Sequence, residues 1–277
     1  MRVLVTGGSG SLGRILCRVI GEDGHAVRVL STRPRASFDP AGFEWACADL
    51  ARGEGLREAV DGVQAVFHLA SDFNNAEAVD VEGTRRLCEA SRAAGVSHLV
   101  YISIVGIDDI PTGYYKRKRE AERIVESSSL PHSIQRATQF HSFVANLLSK
   151  AARVPLLMPL PAGFKFQSVD ESEVAARLAA CLAAGPRGRL VDFGGPEVLD
   201  LDAMARSWME VKGVRRRLVP LPVPGAAAKA LRAGKNTAPG GERGTVRWRE
   251  WLERHAEREG RSGANIYRLP DSRAKSM

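Results

Sequence analysis

Short apolar, β-branched runs alternate along the first half of the chain with longer stretches of helical spacing. The runs Arg2–Thr6, Ala26–Ser31, Phe43–Ala46, Ala65–Leu69, Leu99–Ser103 and Ser133–Ala137 read as strands. Between them, Leu12–Glu22, Val79–Ala94 and Tyr114–Ser127 carry apolar residues at the three-to-four spacing of an amphipathic helix. Gly95 supplies a stop after the second of these helices and Pro131 follows the third. Strands that alternate with helices in this way predict an α/β fold: a doubly wound parallel sheet covered on both faces.

From about Gln139 the pattern loosens. Val154–Pro161 reads as a proline-broken apolar loop, where a small substrate region is expected to begin. A helix over Ser172–Ala184, a strand over Arg189–Phe193, a helix over Leu201–Lys212 and a strand near Arg217–Leu221 follow. The glycine- and base-rich segment Ala233–Gly244 reads as mobile, and Thr245–His255 as a last helix capped by Thr245. The expected organisation is a cofactor domain over 1–138, a substrate region over 139–259, partly interleaved with the sheet, and a loosely held tail over 260–277.

Composition narrows the class. A chain of 277 residues with 44% hydrophobic residues can build one large α/β core with an appendage. No apolar run is long enough to span a bilayer and no signal-like segment precedes the first strand, so a cytoplasmic protein without a membrane partner is expected. Cys17, Cys47, Cys88 and Cys181 lack metal-ligand or redox spacing and read as reduced, buried small hydrophobes, with no metal site. The net charge of +8 is uneven: Arg206–Lys275 holds 17 basic against 7 acidic residues. No aromatic interleaving or recognition-helix pattern accompanies them, so solvated arginines are expected rather than a nucleic-acid surface. The sequence leaves the oligomeric state open.

The first strand runs directly into Thr6-Gly7-Gly8-Ser9-Gly10-Ser11-Leu12-Gly13-Arg14. Glycines at this spacing, after a strand and opening a helix, let the backbone turn sharply, approach a pyrophosphate and pack helix on strand. The helix N-terminus then offers unpaired N–H groups to the anion. This predicts a dinucleotide cradle formed by Thr6, Gly7, Gly10, Ser11, Leu12 and Gly13. An acid at the end of the second strand would suit NAD. Ser31-Thr32-Arg33-Pro34-Arg35 stands there instead, and Arg14 follows the last glycine, so Arg14 and Arg33 point to the extra phosphate of NADP, with NAD the less favoured cofactor. Asp49 and Leu50 after the third strand, and Leu69, Ala70 and Ser71 after the fourth, complete the expected cofactor contacts.

Together with Val66-Phe67-His68-Leu69-Ala70, Tyr101-Ile102-Ser103-Ile104-Val105-Gly106, Tyr114-Tyr115-Lys116-Arg117-Lys118 and Arg136-Ala137-Thr138-Gln139-Phe140, these motifs resemble the short-chain dehydrogenase/reductase superfamily, in its atypical NmrA-like NAD(P)H-binding branch. The resemblance covers roughly the first half and implies a Rossmann-type domain. It implies that Tyr114 and Lys118, one helical turn apart, act as proton donor and its tuning cation, that Lys118 also binds the nicotinamide ribose, and that Ser103 orients a substrate carbonyl. Tyr115 competes with Tyr114 for the inward position. Gln139, Phe140 and His141, after the sixth strand, are the candidate substrate contacts, while His25, His68 and His98 read as structural. Extended members carry a proline soon after that strand, where this chain has Ala137-Thr138.

Two functions follow. One is an NADPH-dependent oxidoreductase acting on a small hydrophobic carbonyl, quinone or enone. The other is an NADP(H)-sensing regulatory protein without turnover, its basic C-terminal quarter meeting a partner.

Overall fold

The computed structural model describes residues 1–32 and 42–262, with side chains as far as residue 257. In chain order the elements are β1 (Arg2–Thr6), α1 (Ser11–Glu22), β2 (Ala26–Ser31), β3 (Glu44–Cys47), α2 (Leu56–Val60) and β4 (Ala65–His68). A π-helical turn (Glu77–Glu82) then runs into α3 (Gly83–Ala93), followed by β5 (His98–Ile104), α4 (Gly113–Ser127) and β6 (His132–Ala137). Next come α5 (His141–Ala151), β7 (Leu157–Pro161), β8 (Lys165–Phe166), α6 (Glu171–Ala184), β9 (Gly188–Arg189), β10 (Phe193–Gly194) and β11 (Leu199–Asp200). The chain closes with α7 (Leu201–Lys212), β12 (Arg217–Leu221), α8 (Ala226–Arg232), β13 (Glu242–Arg243) and α9 (Trp248–Ser262). Two compact units result, one of Met1–Ala137 with Glu171–Asp192, the other of Thr138–Asp170 with the chain from Phe193 onward.

The first unit is the doubly wound sheet that the alternation predicts. Its strands run parallel in the order β6-β5-β4-β1-β2-β3, with β9 also paired to β6. Val3, Leu4 and Val5 of β1 and Val66 and Phe67 of β4 are fully enclosed, as strands covered on both faces must be. Helix α1 buries Leu12, Leu16, Cys17 and Ile20 along one stripe, and α6 packs beside it. The reversal between β1 and β4 places the ends of both strands at a topological switch point, where open α/β sheets bind ligands.

The second unit departs from its sequence reading in several places. Leu157–Pro161 is a strand, not a loop: it pairs in parallel with β12 and buries Met158 and Leu160. Its prolines are tolerated because β7 has a ladder on one side only in this two-stranded sheet. Ala233–Gly244 is anchored rather than loose, because the fully buried Asn236 donates to Lys165 O at 2.7 Å and Ala238 N donates to Gln167 Oε1 at 2.7 Å. The last helix starts at Trp248, whose N–H donates to Glu197 at 3.2 Å. The predicted strand Arg189–Phe193 splits into β9 and β10, which fall in different units.

Cys17, Cys88 and Cys181 are buried as expected, and burial pushes the first two thiols up to about 12 and about 11. Cys47 is the exception, exposed at the end of β3. Among the described residues no helix is long and apolar enough to cross a membrane.

Candidate active site

The loop between β1 and α1 is shaped by contacts that only glycine permits. Gly7 has φ +68°, and a Cβ there would lie 2.8 Å from the backbone N of Ala70. A Cβ on Gly13 would lie 2.2 Å from the carbonyl of Gly7, so the first turn of α1 presses directly on the loop. A Cβ on Gly10 would meet only Gly7 O, at 3.2 Å, leaving open space above the turn. Neither a capping side chain nor a first-turn acid occupies the N-terminus of α1. Its free N–H groups therefore face a space that the glycines keep clear, which fits a pyrophosphate.

Thr6, Leu12 and Leu50 shape this cradle from behind rather than lining it with their side chains. Leu12 and Leu50 are buried in the core. Thr6 is fully enclosed, and its hydroxyl accepts from the backbone N of Leu69 and of Ala70, both at 3.2 Å, which ties the end of β1 to the exit of β4. The same hydroxyl is 2.8 Å from His68 Nδ1, and His68 Nε2 is 2.9 Å from Thr84 Oγ1. Because Thr84 gives its one hydroxyl proton to the carbonyl of Asp80, it must accept from Nε2–H, and Thr6 must donate to Nδ1. Burial holds His68 neutral, its pKa lowered to about 3.

Ser11 is exposed at the first position of α1, while the Asp49 carboxylate accepts from Ala51 N at 2.8 Å and so also braces its own turn. Arg14 Nε donates to Ser9 O at 2.9 Å. Arg33 lies outside the described residues.

Next to the cradle, α4 starts at a Thr112 cap, whose hydroxyl accepts from Tyr115 N. This sets Tyr114 and Lys118 on one face. The Tyr114 hydroxyl lies 2.7 Å from Ser71 Oγ, and Ser71 donates to Asp80 Oδ1 at 2.7 Å. Lys118 is buried: its ammonium donates to Ile102 O at 3.3 Å, lies 3.5 Å from Asp80 Oδ1 and sits 4.4 Å above the Tyr101 ring. Ser103, beside Ile102 on β5, has a buried hydroxyl without a hydrogen-bond partner among the described residues. The structure therefore brings Tyr114, Ser71 and Lys118 into one network, while no bond joins Ser103 to it.

Two members of this site escape sequence reasoning. Asp80 arises from a π-helical turn that no spacing rule marks. Phe73, 73% exposed, packs against Tyr114 from a loop without pattern, its ring tilted by 51° and its centroid 5.1 Å away.

Helix α4 is held in place by an ion cluster built on a buried Arg136–Glu122 pair. Arg136 at the end of β6 donates Nε and Nη2 to the two Glu122 oxygens at 2.7 and 2.6 Å, and Nη1 to Asp108 at 2.5 Å. Bidentate pairing of this kind fixes geometry as well as charge.

The candidate substrate residues belong to the second unit. Gln139 Oε1 accepts from Asn236 at 3.2 Å, and Phe140 is half-buried. His141 corrects its expectation, because it is fully enclosed. Nδ1 lies 2.8 Å from Ser168 Oγ, Nε2 lies 3.1 Å from Val246 O, and the ring packs against Trp248 and Trp251. It is a core histidine, held neutral by burial with its pKa lowered to about 4.

A parallel sheet, a glycine cradle at its switch point and a tyrosine–lysine pair beside it define a Rossmann-type dinucleotide-binding protein. The chain belongs to the NAD(P)H-binding family, which it matches over residues 7–184. It is 30% identical over 238 residues to a (4-alkanoyl-5-oxo-2,5-dihydrofuran-3-yl)methyl phosphate reductase of Streptomyces griseus subsp. griseus, covering 83% of this chain and 80% of the relative. It superposes on an NADPH-dependent quinone oxidoreductase from Escherichia coli complexed with NADPH (TM-score 0.73, 17% identity, 92% of this chain and 99% of that one). It likewise superposes on a short-chain dehydrogenase/reductase superfamily protein from Agrobacterium tumefaciens with bound NAD (TM-score 0.70, 23% identity, 94% and 98%). At these identities the two structures show a shared fold.

Proposed function

We propose that the chain is an NADPH-dependent oxidoreductase that reduces a small hydrophobic carbonyl, quinone or enone. The observation that carries this reading is the Tyr114 hydroxyl, bonded to Ser71 and one helical turn from a buried Lys118, next to a cradle that leaves room for a pyrophosphate. Gly7, Gly10, Ser11 and Gly13 hold the pyrophosphate, Asp49, Leu69, Ala70 and Ser71 border the rest of the cofactor, and Lys118 anchors the nicotinamide ribose. The reduced nicotinamide supplies the hydride when bound.

Tyr114 gives its proton to the oxygen that gains charge on the substrate, and the unpartnered Ser103 hydroxyl stabilises that oxygen. The exposed Phe73 ring against Tyr114 supports a hydrophobic, flat substrate. A relative named as a reductase of an alkanoyl- and oxo-bearing compound supports the same reaction class.

The preference for NADPH rests on Ser31-Thr32-Arg33, which offers no acid to oppose a 2′-phosphate, and on Arg14. Calorimetry with NADPH and NADH on the wild type and Arg33→Ala tests it. The expected result is tighter NADPH binding that Arg33→Ala weakens. Equal affinities, or a preference untouched by Arg33→Ala, would remove the assignment.

A further inference from the structure

We propose that Asp80, through Ser71 and Lys118, is a positioning residue that orients the Tyr114 hydroxyl and offsets the charge of the ammonium beside it. The inference rests on the reading of Tyr114 as the proton donor.

Three observations carry it. The Asp80 side chain is fully buried, yet both its oxygens are engaged: Oδ1 accepts from Ser71 at 2.7 Å and lies 3.5 Å from Lys118 Nζ, and Oδ2 accepts from Asp72 N at 3.1 Å. It stands on the π-helical turn Glu77–Glu82, a local departure from α-geometry of the kind found at functional sites, and its carbonyl is held by Thr84. Finally, a serine has one hydroxyl proton. Ser71 gives its proton to Asp80, so its oxygen can only accept from Tyr114, and the phenol proton is thereby aimed and held.

The electrostatics act in the same direction. A lysine beside a phenol favours phenolate, but here the ammonium is paired with a buried carboxylate, so the Lys118–Asp80 pair presents little net charge to the ring. The ionisable groups acting on Tyr114 are Lys118 from its own helix, Asp80 from the π-helical turn and Tyr101 from β5, with the neutral Ser71 from the loop after β4. Burial, the largest influence, raises the phenol pKa; Lys118 lowers it and Asp80 raises it again.

The test needs no substrate. Tyrosinate absorbance is titrated against pH in the cofactor-free protein and in Tyr114→Phe, so that the difference isolates Tyr114 from the other tyrosines. The titration is repeated in Asp80→Asn. Removing the carboxylate should lower the Tyr114 midpoint by about one unit, about tenfold more phenolate at a given pH. Lys118→Met should raise the midpoint, and Asp80→Asn/Lys118→Met should fall back from it. This second comparison also reads the contribution of Asp80 should the single variant fail to fold around an unpaired lysine.

A midpoint unmoved in both comparisons would overturn the proposal, even if melting temperatures change, because a purely structural aspartate alters stability and not the phenol. Should the midpoint shift while Tyr114→Phe keeps full turnover, the positioning stands and the proton-donor reading fails.

Discussion

At the scale of single residues, Phe73 and Glu122 separate binding from architecture. Phe73 is exposed and touches Tyr114, so Phe73→Ala should raise KM for an aromatic quinone about tenfold, in line with the loss of one ring contact, and leave NADPH affinity unchanged. Steady-state kinetics with calorimetry check this, and an unchanged KM would separate Phe73 from the substrate. Glu122 accepts two bonds from Arg136 and is fully buried, so Glu122→Ala leaves a buried guanidinium with only the half-exposed Asp108 and should cost about 3 kcal/mol in urea unfolding. The places of Tyr114, Lys118 and Ser103 were legible in the sequence, because the first two stand one turn apart on one helix and the third at a strand end. Asp80 and Phe73 were not, since each reaches Tyr114 only through the folded chain. His141 misled because its place after β6 suggests a site, whereas the tryptophans that enclose it come from α9, far along the sequence.

At the scale of elements, the central strands of the first unit were readable because Val3–Val5, Ala65–Phe67 and Leu99–Ile102 are apolar runs, the mark of burial on both faces. Helix α5 and strand β7 were missed. The first follows a strand with no capping side chain to announce it, and the second carries two prolines that usually mark a loop. The cradle makes a contrast between two glycines. Gly13→Ala forces a Cβ to within 2.2 Å of a carbonyl and should destabilise the unit itself, lowering its melting temperature by several degrees. Gly10→Val meets protein only at 3.2 Å, so it should fold and lose NADPH binding, because its branches fill the space for the pyrophosphate. Thermal melts and calorimetry on both variants read the difference, and Gly10→Val with native affinity would show that the cradle is not used.

For the whole molecule, each unit buries a neutral histidine, and this sets an acid limit. The pKa of His68 is lowered to about 3 and that of His141 to about 4, against about 6.5 in the unfolded chain. The unfolded state therefore binds more protons below that value, so the contribution is complete above about pH 6.5 and is lost as the pH falls toward the folded pKa values. At pH 5 the loss is about 2 kcal/mol for each histidine, and urea unfolding at pH 7 and pH 5 should show it. A flat profile would mean that both rings are charged in the fold, and half the expected loss that one of them is. The central claim, that this chain turns over NADPH through Tyr114, is tested most directly by following NADPH oxidation with a panel of quinones, ketones and enones in wild type, Tyr114→Phe and Tyr115→Phe. The account predicts turnover on at least one compound, a fall of about 100-fold or more in Tyr114→Phe at unchanged cofactor affinity, and a mild effect of Tyr115→Phe. NADPH binding without oxidation of any compound, or undiminished turnover in Tyr114→Phe, would contradict it.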